Sequence, residues 1–298
     1  MTGAARVVGD DPFVVHRGLL FTVAYEILGS AADAEDVLQE SWLRWEAVDR
    51  ARVLAPRAYL VQVVTRQALN HVRTAARRRE EYVGEWLPEP LLTAPDVAED
   101  VELAESLSIA MLTVLQTLGP AERAVFVLHE VFDVPYDEVA RAVGRTPAAV
   151  RQIAHRARDH VAARRPRVAV ARSEHEQVVE RLVRALNTGD LDGLVALLAP
   201  DVVSVTDSGG KVRGASRGPV VGALRLARYL MGGMARSAGA LRASATYVNG
   251  RPAVRMELDG RVAAVASVTV DGGLVTHAHT IVNPDKLGRL DRPVDVRR

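Results

Sequence analysis

Through the first 165 residues, apolar side chains recur at the spacing of α-helices, about 3.6 residues per turn. Phe13, Leu20, Phe21, Ala24, Tyr25, Ile27 and Leu28 form a broad stripe over residues 11–28, with Gly29 as a stop. DAEDVLQESWLRWEAV follows, with Val37, Leu38, Trp42 and Trp45 facing inward. Pro56 opens a third helix, whose inner side carries Leu60, Val63, Val64, Ala68 and Val72. Between residues 80 and 100 the pattern stops. Pro88, Pro90 and Pro95 exclude a long helix, so this stretch is a linker. Tyr82, Trp86, Leu87, Leu91 and Leu92 are too apolar for a free one, which predicts packing against a neighbouring domain. Leu103, Leu107, Ala110, Met111, Val114 and Leu115 then predict one amphipathic helix, broken by Gly119-Pro120, and residues 121–132 the next.

The segment PYDEVARAVGRTPAAVRQIAHRARDHVAARR predicts helix, tight turn, helix. Gly144 suits the left-handed residue that ends the first helix, and Thr146 with Pro147 suits the start of the second. Val150, Ala154, Ala157 and Val161 face inward at helical spacing. Arg151, Gln152, His155, Arg156 and Asp159 share the outer face. An ordinary helical hairpin with a solvated basic face has the same periodicity. The cap, the turn and the Arg/Gln/His face together fit a helix-turn-helix that reads the DNA major groove.

After a basic link at residues 164–172 the character changes. Residues 173–198 predict a helical stretch broken at Thr188-Gly189-Asp190, residues 201–206 a strand, and residues 219–234 another helix. Asn249-Gly250, Asp259-Gly260 and Asp271-Gly272 separate apolar runs of strand type, predicting an antiparallel meander over 242–248, 251–258, 261–270 and 273–282. Helices plus a curved sheet make an α+β unit able to enclose a pocket. The expected domains are 9–80, a linker 81–100, 101–165 and 173–290.

Charge alters this picture locally. The 298 residues carry 38 basic and 37 acidic side chains, so a nucleic-acid footprint must come from clustering. One cluster ends the third helix, where Asn70, Arg73, Arg77 and Arg78 suit phosphate and base contacts. Asp36, Gln39 and Glu40 surround an outward Leu43 on the second helix, the look of a partner-binding face as well as of a solvated one. There is no cysteine, which excludes disulfides, thiolate nucleophiles and cysteine metal sites. No apolar run is long enough to span a membrane, and a cytoplasmic location is expected. Asp207, His277 and His279 are the candidates for a catalytic base, but each also suits a plain role in a turn or on a sheet face. His-x-His lacks a clear third metal ligand.

Three blocks now carry a resemblance. DAEDVLQESWLRW, PRAYLVQVVTRQALNHVRTAARRRE and LGPAERAVFVLHEVFDVPYDEVARAVGRTPAAVRQIAHRAR, in that order, resemble regions 2 and 4 of extracytoplasmic-function sigma factors of bacterial RNA polymerase. The resemblance implies two all-α domains, the second with the helix-turn-helix, and core RNA polymerase and promoter DNA as partners. Asp36, Gln39, Glu40 and Leu43 would dock on the clamp region of the β′ subunit, the β flap being a further polymerase contact. At the −10 element Arg73, Arg77 and Arg78 would hold phosphates while Asn70 would read a non-template base, and Thr146, Arg151, Gln152, His155 and Arg156 would meet the −35 element. YVGEWLPEPL, DSGGK at 207–211 and NPDKL at 283–287 are similar to the subgroup with a SnoaL-like (NTF2-like), cone-shaped α+β extension. Ser208 stands where that subgroup's loop has glycine. In the subgroup the extension sets the activity of the sigma modules in place of a separate anti-sigma protein. It implies regulatory roles for Trp86, Asp207, Lys211, Asn283, Pro284, Asp285, Lys286 and Leu287, with no catalytic residue, metal or cofactor. A small ligand in the C-terminal pocket stays open. The rival readings are a stand-alone helix-turn-helix repressor and an isomerase- or cyclase-like enzyme fused to a DNA-binding module.

Overall fold

The structure, a computed structural model, describes residues 11–164, 170–237 and 239–298, with backbone only for 73–80. The chain begins with α1 (Pro12–Val15), α2 (Arg17–Leu28), α3 (Ala31–Glu46) and α4 (Pro56–Glu80). Asp11 caps α1, Ser30 caps α3 through the Asp33 N–H, and Gly29 ends α2 with φ 71°. Next come α5 (Val101–Leu107), α6 (Ile109–Leu115), α7 (Pro120–Phe126), one π-type turn (Val127–Val131), α8 (Tyr136–Val143) and α9 (Pro147–Arg164). The single helix expected over 103–115 is two. Ser108 leaves helical geometry at ψ 142°, and its hydroxyl accepts from the Met111 N–H at 3.1 Å while donating to the Glu105 carbonyl at 2.8 Å. A serine that caps one helix and closes another offsets the lost backbone bonds.

The remainder is α10 (Arg172–Thr188), α11 (Leu191–Val195), β1 (Leu198–Asp207), β2 (Val220–Val221), α12 (Ala223–Arg236), β3 (Leu241–Val248), β4 (Arg251–Leu258), β5 (Arg261–Asp271), β6 (Leu274–Ile281) and α13 (Pro284–Leu287). The six strands form one sheet in the order β2-β1-β6-β5-β4-β3. The meander β3 to β6 is antiparallel, and β1 joins it in parallel with β6. Asn249, Gly250, Asp259 and Gly260 all have positive φ, as paired central residues of tight hairpin turns require. The third turn lies one residue later than the sequence suggests, on Gly272 and Gly273. The helix expected from 219 begins at 223, because Val220 pairs with Ser204 at the sheet edge.

The fold divides into two compact units. One comprises Met1–Arg78, Val114–Arg164 and Asp295–Arg298; the other comprises Arg79–Thr113 and Arg165–Val294. The linker and α5 therefore group with the α+β part. In the all-α unit the buried Arg123 guanidinium bonds the carbonyls of Leu115 (2.8 Å) and Ile27 (2.9 Å), crosslinking α7 to α2. The chain's last residues belong here too: the Arg297 N–H bonds the Thr22 hydroxyl, and Arg298 pairs with Asp133 at 2.6 Å.

In the α+β unit the sheet has two unlike faces. One packs under α10, α11 and α12, with Val202, Val254, Met256, Ala266 and Val275 among its core residues. The other is covered by the linker's Leu87 and the post-strand Leu287 and Leu290, over Val248, Ala253, Val265 and Ile281. The apolar linker side chains thus find the cover that their composition demands.

Candidate functional site

The helix-turn-helix forms as the sequence predicts. Gly144 ends α8 at φ 67°, and the Thr146 hydroxyl caps α9 by accepting from the Ala149 N–H at 3.2 Å. Val150, Ala154, Ala157 and Val161 are buried, so Arg151, Gln152, His155 and Arg156 stand exposed together. Arg151 leans over the Tyr136 ring at 5.8 Å, His155 pairs with Asp159 at 2.8 Å, and Arg156 lies 3.9 Å from Glu122. Exposed pairs of this kind hold little energy and release readily to a competing ligand. On α3, Asp36, Gln39 and Leu43 are exposed, Leu43 by 63%. Glu40 differs: its carboxylate accepts from the Gln67 amide at 2.6 Å and meets His71 at 3.1 Å, tying α3 to α4. Asn70 is exposed on α4. Arg73, Arg77 and Arg78 are on the same helix, with side chains outside the described residues.

The second constellation is buried. Asp207, at the end of β1, is 0% exposed. Its carboxylate accepts from the Tyr82 hydroxyl, from the Leu87 N–H at 2.9 Å and from the Lys286 ammonium at 2.7 Å. Lys286 also donates to the Leu87 carbonyl at 2.6 Å and sits 3.4 Å from the centre of the Trp86 ring. Asn283 caps α13 through the Asp285 N–H and donates its amide to the Tyr82 oxygen at 2.7 Å. Pro284 occupies the first turn of α13, Leu287 enters the core, and Lys211 pairs with Asp285 at the surface. All eight residues grouped by resemblance thus meet in one place. Burial, and next the hydrogen bond to Asp207, pushes the Tyr82 hydroxyl above the ordinary tyrosine range, so it remains a donor. A buried ion pair is favourable only when its remaining hydrogen-bonding capacity is met, as it is here. Gly209 is required: at φ 55°, a Cβ there would lie 2.6 Å from the Asn283 amide nitrogen and 3.0 Å from the Tyr82 oxygen.

The linker is clamped again farther along. The Leu91 N–H bonds the Asn249 side-chain oxygen at 2.9 Å, Asn249 returns its own N–H to the Leu91 carbonyl, and Leu92 makes an isolated antiparallel bridge to Val248. The Asn249 amide also reaches the Leu107 carbonyl at 2.9 Å, and a Cβ on Gly250 would lie 2.9 Å from the Ala104 Cα. The sequence marks Asn249-Gly250 as a hairpin turn; its second task of gripping the linker and α5 carries no local signal.

The cone interior is small and apolar. A cavity of about 40 Å³ is lined by residues such as Leu186, Leu226, Met256, Ala278 and Thr280. Ala278 and Thr280 face it, so His277 and His279, alternating with them on β6, face the other way. Asp207 is likewise committed to the linker side. None of the three candidate bases lines the cone. His279 and the buried His175 border a separate cavity of about 80 Å³ with Ile109 and Met111. Burial, and next Arg251, pulls His175 down to about 4; burial, and next His277, does the same to His279.

Comparison with known proteins decides the family. Residues 13–78 match Sigma-70 region 2, and residues 108–161 match Sigma-70, region 4. The chain is 40% identical over 291 residues to the ECF RNA polymerase sigma factor SigJ of Mycobacterium tuberculosis, covering 92% of this chain and 91% of that protein. The chain is an extracytoplasmic-function sigma factor. It is also 32% identical over 278 residues to the probable ECF sigma factor SigI of M. tuberculosis, covering 92% and 93% of the two chains. The crystal structure of M. tuberculosis SigJ matches this sigma factor with a TM-score of 0.72 at 38% identity, over 91% of this chain and 95% of that one. The all-α parts contain sigma regions 2 and 4, and the C-terminal part is an α+β unit that aligns along with them to the SigJ structure. Sigma factors act with core RNA polymerase on promoter DNA. Among the described residues no helix is long and apolar enough to cross a membrane.

Proposed function

We propose that this sigma factor, working in the cytoplasm, reads a two-box promoter with its helical domains and is regulated by its own C-terminal domain through contacts, without catalysis. Asp36, Gln39 and Leu43 dock on the clamp of the β′ subunit, with Glu40 holding that surface on α4, and region 4 meets the β flap. Asn70 reads the opened −10 element beside Arg73, Arg77 and Arg78. Arg151, Gln152, His155 and Arg156 read the −35 element, Arg to guanine and Gln to adenine being the pairings that geometry favours. Thr146 holds the lip of the recognition helix.

The observation that carries the regulatory reading is the Asp207–Lys286 pair. It fastens the segment joining region 2 to region 4, through Tyr82, Trp86 and Leu87, onto the SnoaL-like sheet. Clamping a linker sets the distribution of distances between the modules at its ends, and so the effective concentration of the second promoter contact once the first is made. The apolar cone, with Asp207, His277 and His279 on the opposite side of the sheet from it, favours this reading over an isomerase- or cyclase-like one, because a general base must face its substrate. Run-off transcription with purified core polymerase tests it. Ending the chain near Arg172, or just before Asn283, is expected to change rate or promoter choice, not necessarily in the same direction. Unchanged transcription from both shortened chains contradicts regulation by contact. A cut after Val294 removes only Asp295–Arg298 and separates the seam from the chain end.

A further inference from the structure

From residue 208 to residue 256 the chain carries nine of its 38 basic side chains and none of its 37 acidic ones, within a protein of net charge +1. Arg213, Arg217, Arg225, Arg228 and Arg236 are exposed, and none has a carboxylate partner among the described residues. Three of them are on α12 at i, i+3 and i+11, with Gly232 at i+7, so they line one stripe about 16 Å long. The loop before α12 joins its far end. The Tyr229 hydroxyl accepts from the Ser216 N–H at 2.9 Å, and the Arg236 guanidinium lies 3.9 Å from where a Cβ on Gly214 would be. A Cβ on Gly232 would come within 3.3 Å of the same guanidinium, while Gly233 has open space. The Arg236 guanidinium thus lies over Gly232 on the stripe, and Gly233 beside it leaves the backbone open. The N-terminus of α12 has no side-chain cap, so its dipole adds positive potential at the Arg225 end.

We infer that this α12 stripe is a further DNA-contacting surface, which binds the phosphodiester backbone of promoter duplex without reading bases. Duplex DNA presents one negative charge per about 1.7 Å of axis, so a stripe of this length meets enough phosphates for each arginine to find one. The basic residues of the stripe are all arginines, whose planar fork matches phosphate oxygens bidentately. Val221 and Leu224, at one end, are about half exposed and isolated, which is ordinary for a soluble surface. The inference takes from the sigma-factor reading only that promoter DNA is the polyanion at hand.

The test is a salt titration of promoter-duplex binding by core polymerase carrying either the wild-type chain or R225Q/R228Q/R236Q. Each lost phosphate contact lowers the slope of log K against log salt by about 0.9, so the triple variant is expected to be shallower by about 2.7. Its preference for promoter over scrambled duplex should stay at the wild-type value. R225K/R228K/R236K should restore the slope, which a folding defect in the glutamine variant could not explain. A wild-type slope in the glutamine variant overturns the inference. So does loss of binding to phosphatidylglycerol vesicles with the DNA slope unchanged, which would assign the stripe to an anionic lipid surface. Because base preference is read separately, failure here leaves the −35 reading of α9 untouched.

Discussion

The recognition helix and the Asp207 seam are built from similar side chains put to opposite use. On α9, Arg151, Gln152, His155 and Arg156 are exposed, with weak partners where they have any, and their hydrogen-bonding capacity is open to a ligand. At the seam, Asp207, Lys286 and Asn283 are buried and bonded to one another and to the linker. The first arrangement exchanges partners at little cost. The second is stiff, because removing any member leaves a buried polar group without its partner. The buried set holds the linker, and the proposed base reading falls to the exposed one.

The largest effects should come from breaking the buried set. Lys286→Met leaves the Asp207 carboxylate buried without its cation, a change that typically costs about 3–5 kcal/mol. Urea unfolding should show this loss in the α+β unit, and Asp207→Asn combined with Lys286→Met should recover part of it. Strict additivity of the two single losses would mean that the pair is not coupled.

The next effect follows from His175 and His279 of the α+β unit. A histidine held at about 4 when folded but near 6.5 when unfolded binds its proton preferentially in the unfolded state. Its contribution is complete above about pH 6.5 and is lost as the pH falls toward 4. His175→Gln should flatten the fall of the melting temperature between pH 6.5 and 4. An identical pH profile in the variant would contradict the burial of a neutral imidazole.

Smaller effects, without loss of stability, should come from the exposed set. Arg151→Ala should lower discrimination at one −35 position by about 1–3 kcal/mol, read on a panel of −35 mutants, at a wild-type melting temperature. Leu43→Arg should weaken binding to core polymerase by about tenfold, a hot-spot loss of more than 1 kcal/mol, with unchanged helical circular dichroism. A shift in melting temperature in either variant would blur the distinction drawn here.

How much of this was legible depended on how local each signal is. The helix-turn-helix is short-range: a left-handed glycine, a capping threonine and four inward positions lie within one stretch, and all formed as expected. The meander was legible from its turns, although Gly272-Gly273 took the third turn in place of Asp271-Gly272, since two adjacent glycines adopt positive φ without strain. The parallel pairing of β1 with β6 joins residues about 75 positions apart and leaves no trace in either strand's pattern. The break at Ser108 was hidden because both halves keep one apolar periodicity. The eight seam residues were grouped by resemblance to known motifs. What their own chemistry did not reveal is that Lys286 enters the core, since lysine is almost always solvated until a buried carboxylate stands opposite.

The claim that the seam governs the sigma modules is tested most directly by promoter spacing. Run-off transcription would be compared for wild-type and Lys286→Met holoenzymes on templates differing only in the distance between the −10 and −35 boxes. Arg151→Ala would serve as the base-reading control. The account predicts that Lys286→Met changes the spacing preference or the overall rate while its −35 base preference stays at the wild-type value, and that Arg151→Ala does the reverse. A Lys286→Met enzyme with the wild-type rate and spacing profile, in a chain shown by unfolding to have lost the seam, would contradict it.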